Sequence, residues 1–376
     1  MSKGKDEYSL KEIYEQMELE LIASFYRNLV KHQQEQIDLG FSWEMWQSVM
    51  LRNLEEYRKE TLMITRSYNN DIEQSIKKVL EKSYTKGEKH AERTIEIAQE
   101  KENIGLVDKK PPAENQFFGM NKKKLNVLIE VTTNDFKEAN KAIYRQMDDV
   151  YRQTIYKTEF QMSSGAISLD KAIDLATKDF LDKGINCIVY RNGRHVNVVT
   201  YAEMALRTAS QRATFLGEGT KRDEYGTHLI IVSVHANACE LCLPWQGEIL
   251  IDDVFSHPSK EYIAKNKQYK LLSTAIKDGF LHPNCRHTLI NYIKGITRNI
   301  SKIPDEKVID NYHLEQHQRK LENKIRILKR LVQGTVDKDD KKKYSLRLRE
   351  LQKELKDFLD ANKQFKRNRR REKIYG

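Results

Sequence analysis

Proline and glycine are scarce in this chain, at six and 16 of 376 residues. Turn-dense sandwiches and barrels need more of both, so long solvent-exposed helices are favoured as the main fabric. Cysteine is scarcer still. Four cysteines, three of them in one stretch, do not frame a disulfide scaffold, and a reducing compartment suits them better. No run of about twenty apolar residues occurs, which excludes a transmembrane helix, and the opening MSKGKDEYSL lacks the apolar core of a secretory signal. The expectation is a soluble protein made in the cytosol, with no membrane partner.

Charge is what the chain has in abundance. Asp, Glu, Lys and Arg make up 32% of it and the formal net charge is +11, with a pI near 9.2 and a mean hydropathy of −0.73. This composition favours solvent-exposed helices. The positive balance points to an acidic partner, most simply nucleic acid, although a basic surface that is only solvated has the same composition.

Apolar spacing supplies the organisation. A capping box, Ser9 with Glu12, precedes Leu10, Tyr14, Met17, Leu21 and Phe25 at helical intervals, which predicts a helix over 9–36 stopped by Gly40. Ser42 opens a second helix carrying Trp43, Trp46, Met50, Leu54 and Tyr57, continuing with interruptions to about residue 100. Its tryptophans read as anchors between helices. Pro111-Pro112 marks a boundary within 101–120, after which helical texture returns over 121–161 and 169–181, the latter stopped by Gly184. INCIVYRNGRHVNVVTY then predicts a β-hairpin turning through Asn192-Gly193 in a type I′ turn, with Cys187 packed in its first strand. Thr200 and Glu203 form another capping box, for a helix ending at Gly217 whose Arg207 and Arg212 read as solvated or salt-bridged.

Near the C-terminus, Leu314, Leu321, Ile325, Leu328 and Val332 form one apolar seam, and Tyr344, Leu348, Leu351, Leu355 and Phe358 form another. They predict an antiparallel helical hairpin or coiled coil. The tail KQFKRNRRREKIYG reads either as a disordered arm for phosphates or acidic protein, or as a solubilising tail. The fold class expected is mainly α with a small α+β module: long N-terminal helices, a module containing a β-hairpin and a zinc-knuckle-like element, and a C-terminal antiparallel helical hairpin. Four consecutive segments follow, namely an N-terminal helical region (1–105), a linker with a second helical region (106–184), the α+β module with its Cys/His cluster (185–297), and the hairpin with its basic tail (298–376).

Residues 226–293 hold the chemistry. Cys239 and Cys242 form C-x-x-C, and His282, Cys285 and His287 form H-x-x-C-x-H some forty residues later. Two short clusters of soft and borderline ligands are the format of a structural Zn2+ site, in which two chelating pairs close a tetrahedron. Leu229 to Val234 reads as a buried strand, residues 247–251 as its return, and Pro283 as the first turn of a helix carrying Leu289, Ile290 and Ile293. Cys239, Cys242 and Cys285 are the expected ligands. His282 is preferred as the fourth because it mirrors the first pair's spacing, with His287 or His235 as alternatives. Buried unliganded cysteines also fit, while a thioredoxin-like redox site lacks its βαβ context.

Between Tyr201 and Ile293 the sequence resembles the minor capsid protein family of phages and prophages of Gram-positive bacteria, related to phage Mu F-like head morphogenesis proteins. Arg207-Thr208, His235, Cys239-x-x-Cys242, Trp245-Gln-Gly247 and His282-Pro-Asn-Cys285-Arg-His287 carry the likeness. It is looser over the helical N-terminal half and is not extended to the C-terminal hairpin. The resemblance implies a structural, non-enzymatic virion component, present in few copies at the portal vertex and serving head assembly or DNA delivery. Portal protein and other capsid proteins are the implied partners, and packaged DNA is touched non-specifically through a basic surface or the tail. A nucleic-acid-binding zinc module is the alternative. A metal-dependent hydrolase or nuclease would need an open metal position and a base such as Glu240 or Glu248, and four good ligands argue for a closed sphere.

Overall fold

The structure, a computed structural model, describes residues 9–39, 43–101, 119–163, 178, 181–182, 184–298, 300–335 and 337–374. The chain runs through α1 (Ser9–Leu39), α2 (Trp43–Ser67), α3 (Asn69–Lys101), α4 (Met120–Ser163), β1 (Ile188–Val189) and β2 (His195–Val196). It continues through α5 (Val198–Tyr225), β3 (Leu229–Val232), β4 (Ile249–Ile251), α6 (Lys260–Lys265), β5 (Lys270–Leu271) and α7 (Leu272–Lys277). The last elements are β6 (Leu289–Asn291), α8 (Asp305–Gly334), α9 (Lys338–Ala361) and α10 (Arg369–Glu372). The protein is mainly helical with small sheets. Gly40, Ser42, the Pro111-Pro112 boundary and most of the predicted helix over 169–181 lie outside the described residues, as do the side chains of Ser9, Trp43 and Trp46. Among the described residues no helix is long and apolar enough to cross a membrane.

Two compact units divide the chain: Met1–Glu73 with Asp135–Glu203 and Gln316–Gly376, and Gln74–Asn134 with Met204–Glu315. Both are discontinuous, whereas the sequence reading cut the chain into four consecutive segments. In the first unit, α1 buries the predicted stripe of Leu10, Tyr14, Met17, Leu21 and Phe25 completely. Tyr57 stacks on Tyr151 with ring centroids 4.1 Å apart, and the edge of Phe25 meets both rings. Arg27–Glu60, Lys31–Glu56 and Arg52–Glu35 pair α1 with an antiparallel α2. These exposed pairs set alignment more than stability. Buried Glu18 is a hub: it accepts from Ile185 N at 2.7 Å, Asn197 Nδ2 at 2.6 Å and Arg330 at 2.9 Å.

Three local expectations for this unit are corrected. The helix α5 is capped by Asn197, whose Oδ1 accepts from Val199 N at 2.9 Å and Thr200 N at 3.3 Å, and not by Thr200; an Asx side chain one turn earlier satisfies the same first amides. The β1–β2 hairpin has a Gly193 N to Tyr190 O bond of 2.8 Å, and Gly193 at φ +77° has positive φ while Asn192 does not. This is a type I turn closed by a left-handed glycine, the three-residue solution to hairpin twist. The basic tail is no free arm through Ile374: α10 docks on α8, with Arg371 on Glu322 at 3.1 Å, Lys329 donating to Glu372 O at 2.9 Å, and Arg367 forked on Glu372. Buried acids on α8 and α10 capture cations that spacing alone leaves solvated.

In the second unit, β3 is central in a sheet of order β5-β4-β3-β6, antiparallel to β4 and β6, with β4 parallel to β5. All four β3 residues are buried. The predicted helix over Leu289 and Ile290 is instead β6, which fills the second edge of β3 with Val232 opposite Leu289. The β-branched and aromatic run TLINYI satisfies that edge better than an isolated helical turn.

The predicted helix end at Gly217 is also overturned: α5 runs on to Tyr225 and stops before Gly226, at φ +62°. Gly217 serves packing. A Cβ on it would fall well inside 3.0 Å of the Tyr84 carbonyl of α3, and one on Gly87 would do the same to the Thr214 carbonyl of α5. The two helices therefore cross glycine to backbone, which no side-chain adjustment can relieve. Helix propensity alone would have Gly217→Ala stabilise by about 1 kcal/mol; the contact reverses the sign, and we expect a net loss of about 1–3 kcal/mol, read as a lower urea midpoint at unchanged slope.

Candidate metal centre

Two loops of the second unit form the site. At the tip of the β3–β4 hairpin, Cys242 N and Leu243 N both donate to Cys239 O, at 3.1 and 3.0 Å, so the C-x-x-C segment is a closed knuckle. A 3-10 turn over Leu243–Trp245, with Pro244 in its first turn, follows, and Gly247 at φ +71° returns the chain to β4. The other loop connects α7 to β6. Leu281 and Asn284 take positive φ, at 54° and 68°, and Cys285 N donates to His282 O at 3.0 Å. Asparagine tolerates that conformation better than most residues, which gives the His-Pro-Asn-Cys order a backbone reason.

The donor atoms converge. Cys239 Sγ lies 3.0 Å from His282 Nε2, and Cys242 Sγ lies 3.7 Å from Cys285 Sγ. The second distance is roughly the edge of a tetrahedron with metal–sulfur bonds near 2.3 Å. His282 Nδ1 points at Pro283 O, 2.8 Å away. A carbonyl only accepts, so the proton sits on Nδ1 and the Nε2 lone pair faces Cys239, the usual arrangement behind a metal-ligating imidazole. Cys242 and Cys285 are buried, while Cys239 and His282 are partly exposed. A hydrogen bond from Cys242 pulls the Cys285 thiol down against the opposing effect of burial, with His287 adding to the pull, and pushes Cys242 far up.

Two groups of three donors each lie within 4.8 Å of one another: Cys239, Cys242 and His282, and Cys242, Cys285 and His287. They share Cys242, so these Cys/His side chains are positioned to hold a metal ion. His287 has Nδ1 3.4 Å from Cys285 Sγ and Nε2 3.3 Å from Gln246 Oε1. That Oε1 also accepts from His235 N, which fixes the amide and places the His287 proton on Nε2. His235 is in neither group; its Nε2 meets Ser233 Oγ at 3.0 Å and its ring lies edge-on to His287. Cys187 lies in the first unit, where burial pushes its thiol up to about 12.

Spacing did not reveal what holds the second loop. Arg207 donates to the Asn284 side chain, Thr208 Oγ1 accepts from Asn284 N at 3.0 Å, and Gln211 donates to His287 O at 2.6 Å. Arg207 is thus a brace for the ligand loop rather than a solvated charge, while Arg212 is exposed. The signal was present in Arg207, Thr208 and Gln211 sharing one helix face. Behind the knuckle, Glu315 of α8 accepts from Asn237 and Arg286, and Asn311 donates to Ala236 O.

The model of the phage minor capsid protein 2 family matches residues 7–360. The chain belongs to this family. It is also similar to a structural protein of Lactococcus phage LL-H, 25% identical over 179 residues, which is 47% of this chain and 48% of the relative. The match thus spans about half of that curated relative's length. No solved structure matches. The Cys/His cluster lies inside the region that the family model matches.

Proposed function

We propose that this minor capsid protein is a head component at the portal vertex, and that its second unit is braced by a structural zinc ion on Cys239, Cys242, His282 and Cys285. The carrying observation is the pair of donor trios, Cys239–Cys242–His282 and Cys242–Cys285–His287, that two separate loops build around the shared Cys242. The donor types fit Zn2+, soft sulfur with imidazole nitrogen, and Cys242 Sγ and Cys285 Sγ stand at the edge length of a tetrahedral site. Glu240 is exposed, and Glu248 pairs with Lys302 at 2.6 Å, so neither serves as a base over the site. In this reading the metal cross-links the β3–β4 tip to the loop leading into β6 and does no chemistry. His287 is the alternative fourth ligand, and His235 supports it from behind. Portal and other capsid proteins are the partners, and packaged DNA lies against the basic surface.

Elemental analysis of protein purified without chelator is expected to find about one zinc per chain; folded, metal-free protein overturns the metal assignment. For the location, antibody raised to the chain should label intact virions at a single vertex. Labelling over the whole shell overturns the portal placement.

A further inference from the structure

A zinc ion on three thiolates is completed by one imidazole, and this cluster presents two, each aimed at a different sulfur. His282 sets Nε2 3.0 Å from Cys239 Sγ, and His287 sets Nδ1 3.4 Å from Cys285 Sγ. In both rings the far nitrogen meets an oxygen that only accepts: Pro283 O lies 2.8 Å from His282 Nδ1, and Gln246 Oε1 lies 3.3 Å from His287 Nε2. Both far nitrogens therefore carry the proton. Both near nitrogens keep a lone pair, the outer-shell arrangement that fixes the tautomer of a ligating histidine.

Their placement separates the two rings. Cys239, Cys242 and His282 form one trio of donor atoms within 4.8 Å of one another, Cys242, Cys285 and His287 form the other, and neither contains both histidines. An ion in one trio leaves the imidazole of the other facing its own sulfur. The His287 trio is the deeper, with all three residues buried. Gln211 holds its backbone by donating to His287 O at 2.6 Å, and the buried Phe280 ring meets the imidazole edge-on. A thiolate has lone pairs for two cations at once, and Cys242 Sγ and Cys285 Sγ stand 3.7 Å apart, so ions on either side of this pair can share it.

We propose that the centre has a second position for a thiophilic divalent cation of the zinc class, held by Cys242, Cys285 and His287 Nδ1, with the two sulfurs bridging to the ion on Cys239 and His282. This rests on the reading that the cluster binds zinc and enlarges it from one ion to two. The second position is the weaker. It has three donors where zinc takes four, and three thiolates do not neutralise two divalent ions held close together. Protein purified without added metal therefore holds one ion, and the second enters when zinc is supplied.

The test counts zinc in the full chain as purified and again after dialysis against buffered free zinc, beside His287→Gln and Cys242→Ser, with circular dichroism verifying their folding. The parent is expected to rise from about one zinc per chain to about two, His287→Gln to stay at about one, and Cys242→Ser, whose sulfur both ions need, to gain none. Cobalt(II) in place of zinc reads the bridge in the parent alone, so the outcome does not hang on a variant that folds: ions sharing a sulfur couple magnetically, and the paramagnetic signal should grow over the first equivalent and fall over the second. A parent that stops at one ion overturns the second position and spares the zinc reading. A parent that holds none at either stage removes both. A second ion that persists in His287→Gln, or a cobalt signal that keeps growing, lies elsewhere on the chain and overturns the assignment.

Discussion

Cys242→Ser should lose its zinc and melt on the order of 10 °C below the parent. Cys242 is fully buried and belongs to both donor groups, so its loss breaks whichever four-ligand set forms. A serine hydroxyl is a poor zinc ligand, and the sphere it leaves is open. Because a preformed site rarely exists in the unfolded chain, metal affinity is folding free energy, roughly 10 kcal/mol or more for structural zinc. A chelator added to the parent should reproduce the mutant's melt, and the mutant should then be insensitive to chelator. Cys187→Ser provides the control: it removes a thiol of the first unit and should retain full zinc. Scanning calorimetry with and without chelator, alongside metal content, checks both variants. If the two serine variants melt alike, or chelator leaves the parent unmoved, these cysteines pack as small apolar groups and hold no metal.

How far this was legible in the sequence differs by element. The long helices were, because Leu10 to Phe25 and Phe136 to Tyr151 repeat at helical spacing and are buried where that spacing puts them. That Cys/His side chains of both clusters would be positioned around a metal was legible from the donor types and their short spacing. What escaped depends on contacts distant in sequence. Gly217 looks like a stop signal locally; only the approach of α3 explains a glycine within a continuing helix. TLINYI is ambiguous by itself, and the open edge of β3 decides for strand. The tail's arginines look like an arm until Glu322 and Glu372 are seen facing them. In each case local propensity is worth about a kcal/mol or less, and tertiary packing outweighs it.

Arg222 is the position where sequence is least informative and replacement should cost most among the residues outside the metal centre. Nothing in the spacing of TKRDEYG singles it out from the charges beside it, yet it is fully buried. Its Nε donates to Asn291 Oδ1 at 2.8 Å, one terminal nitrogen to Asp252 at 2.7 Å, and the other to Glu218 at 3.0 Å and Leu289 O at 3.1 Å. Each partner is held in turn. Asp252 accepts from Phe255 N at 2.9 Å, Asn291 donates to Thr94 at 2.8 Å, and Glu218 meets His90 at 3.1 Å. One guanidinium thus ties α3, α5, the end of β4 and β6 into a single network, and its planar fork is what reaches four acceptors at once. Arg222→Met keeps the length and removes the charge, leaving two buried carboxylates without their shared cation. The expected loss is about 3–5 kcal/mol, seen in urea denaturation and in faster hydrogen exchange of the β3 and β6 amides. Arg222→Lys should recover little of it, since one ammonium cannot span the same acceptors. Adding Asp252→Asn to Arg222→Met should cost less than the two changes summed, because the carboxylate it removes is the one left stranded. A stability within about 0.5 kcal/mol of the parent for Arg222→Met, the range of ordinary surface changes, would mean that the network is ornamental to the fold.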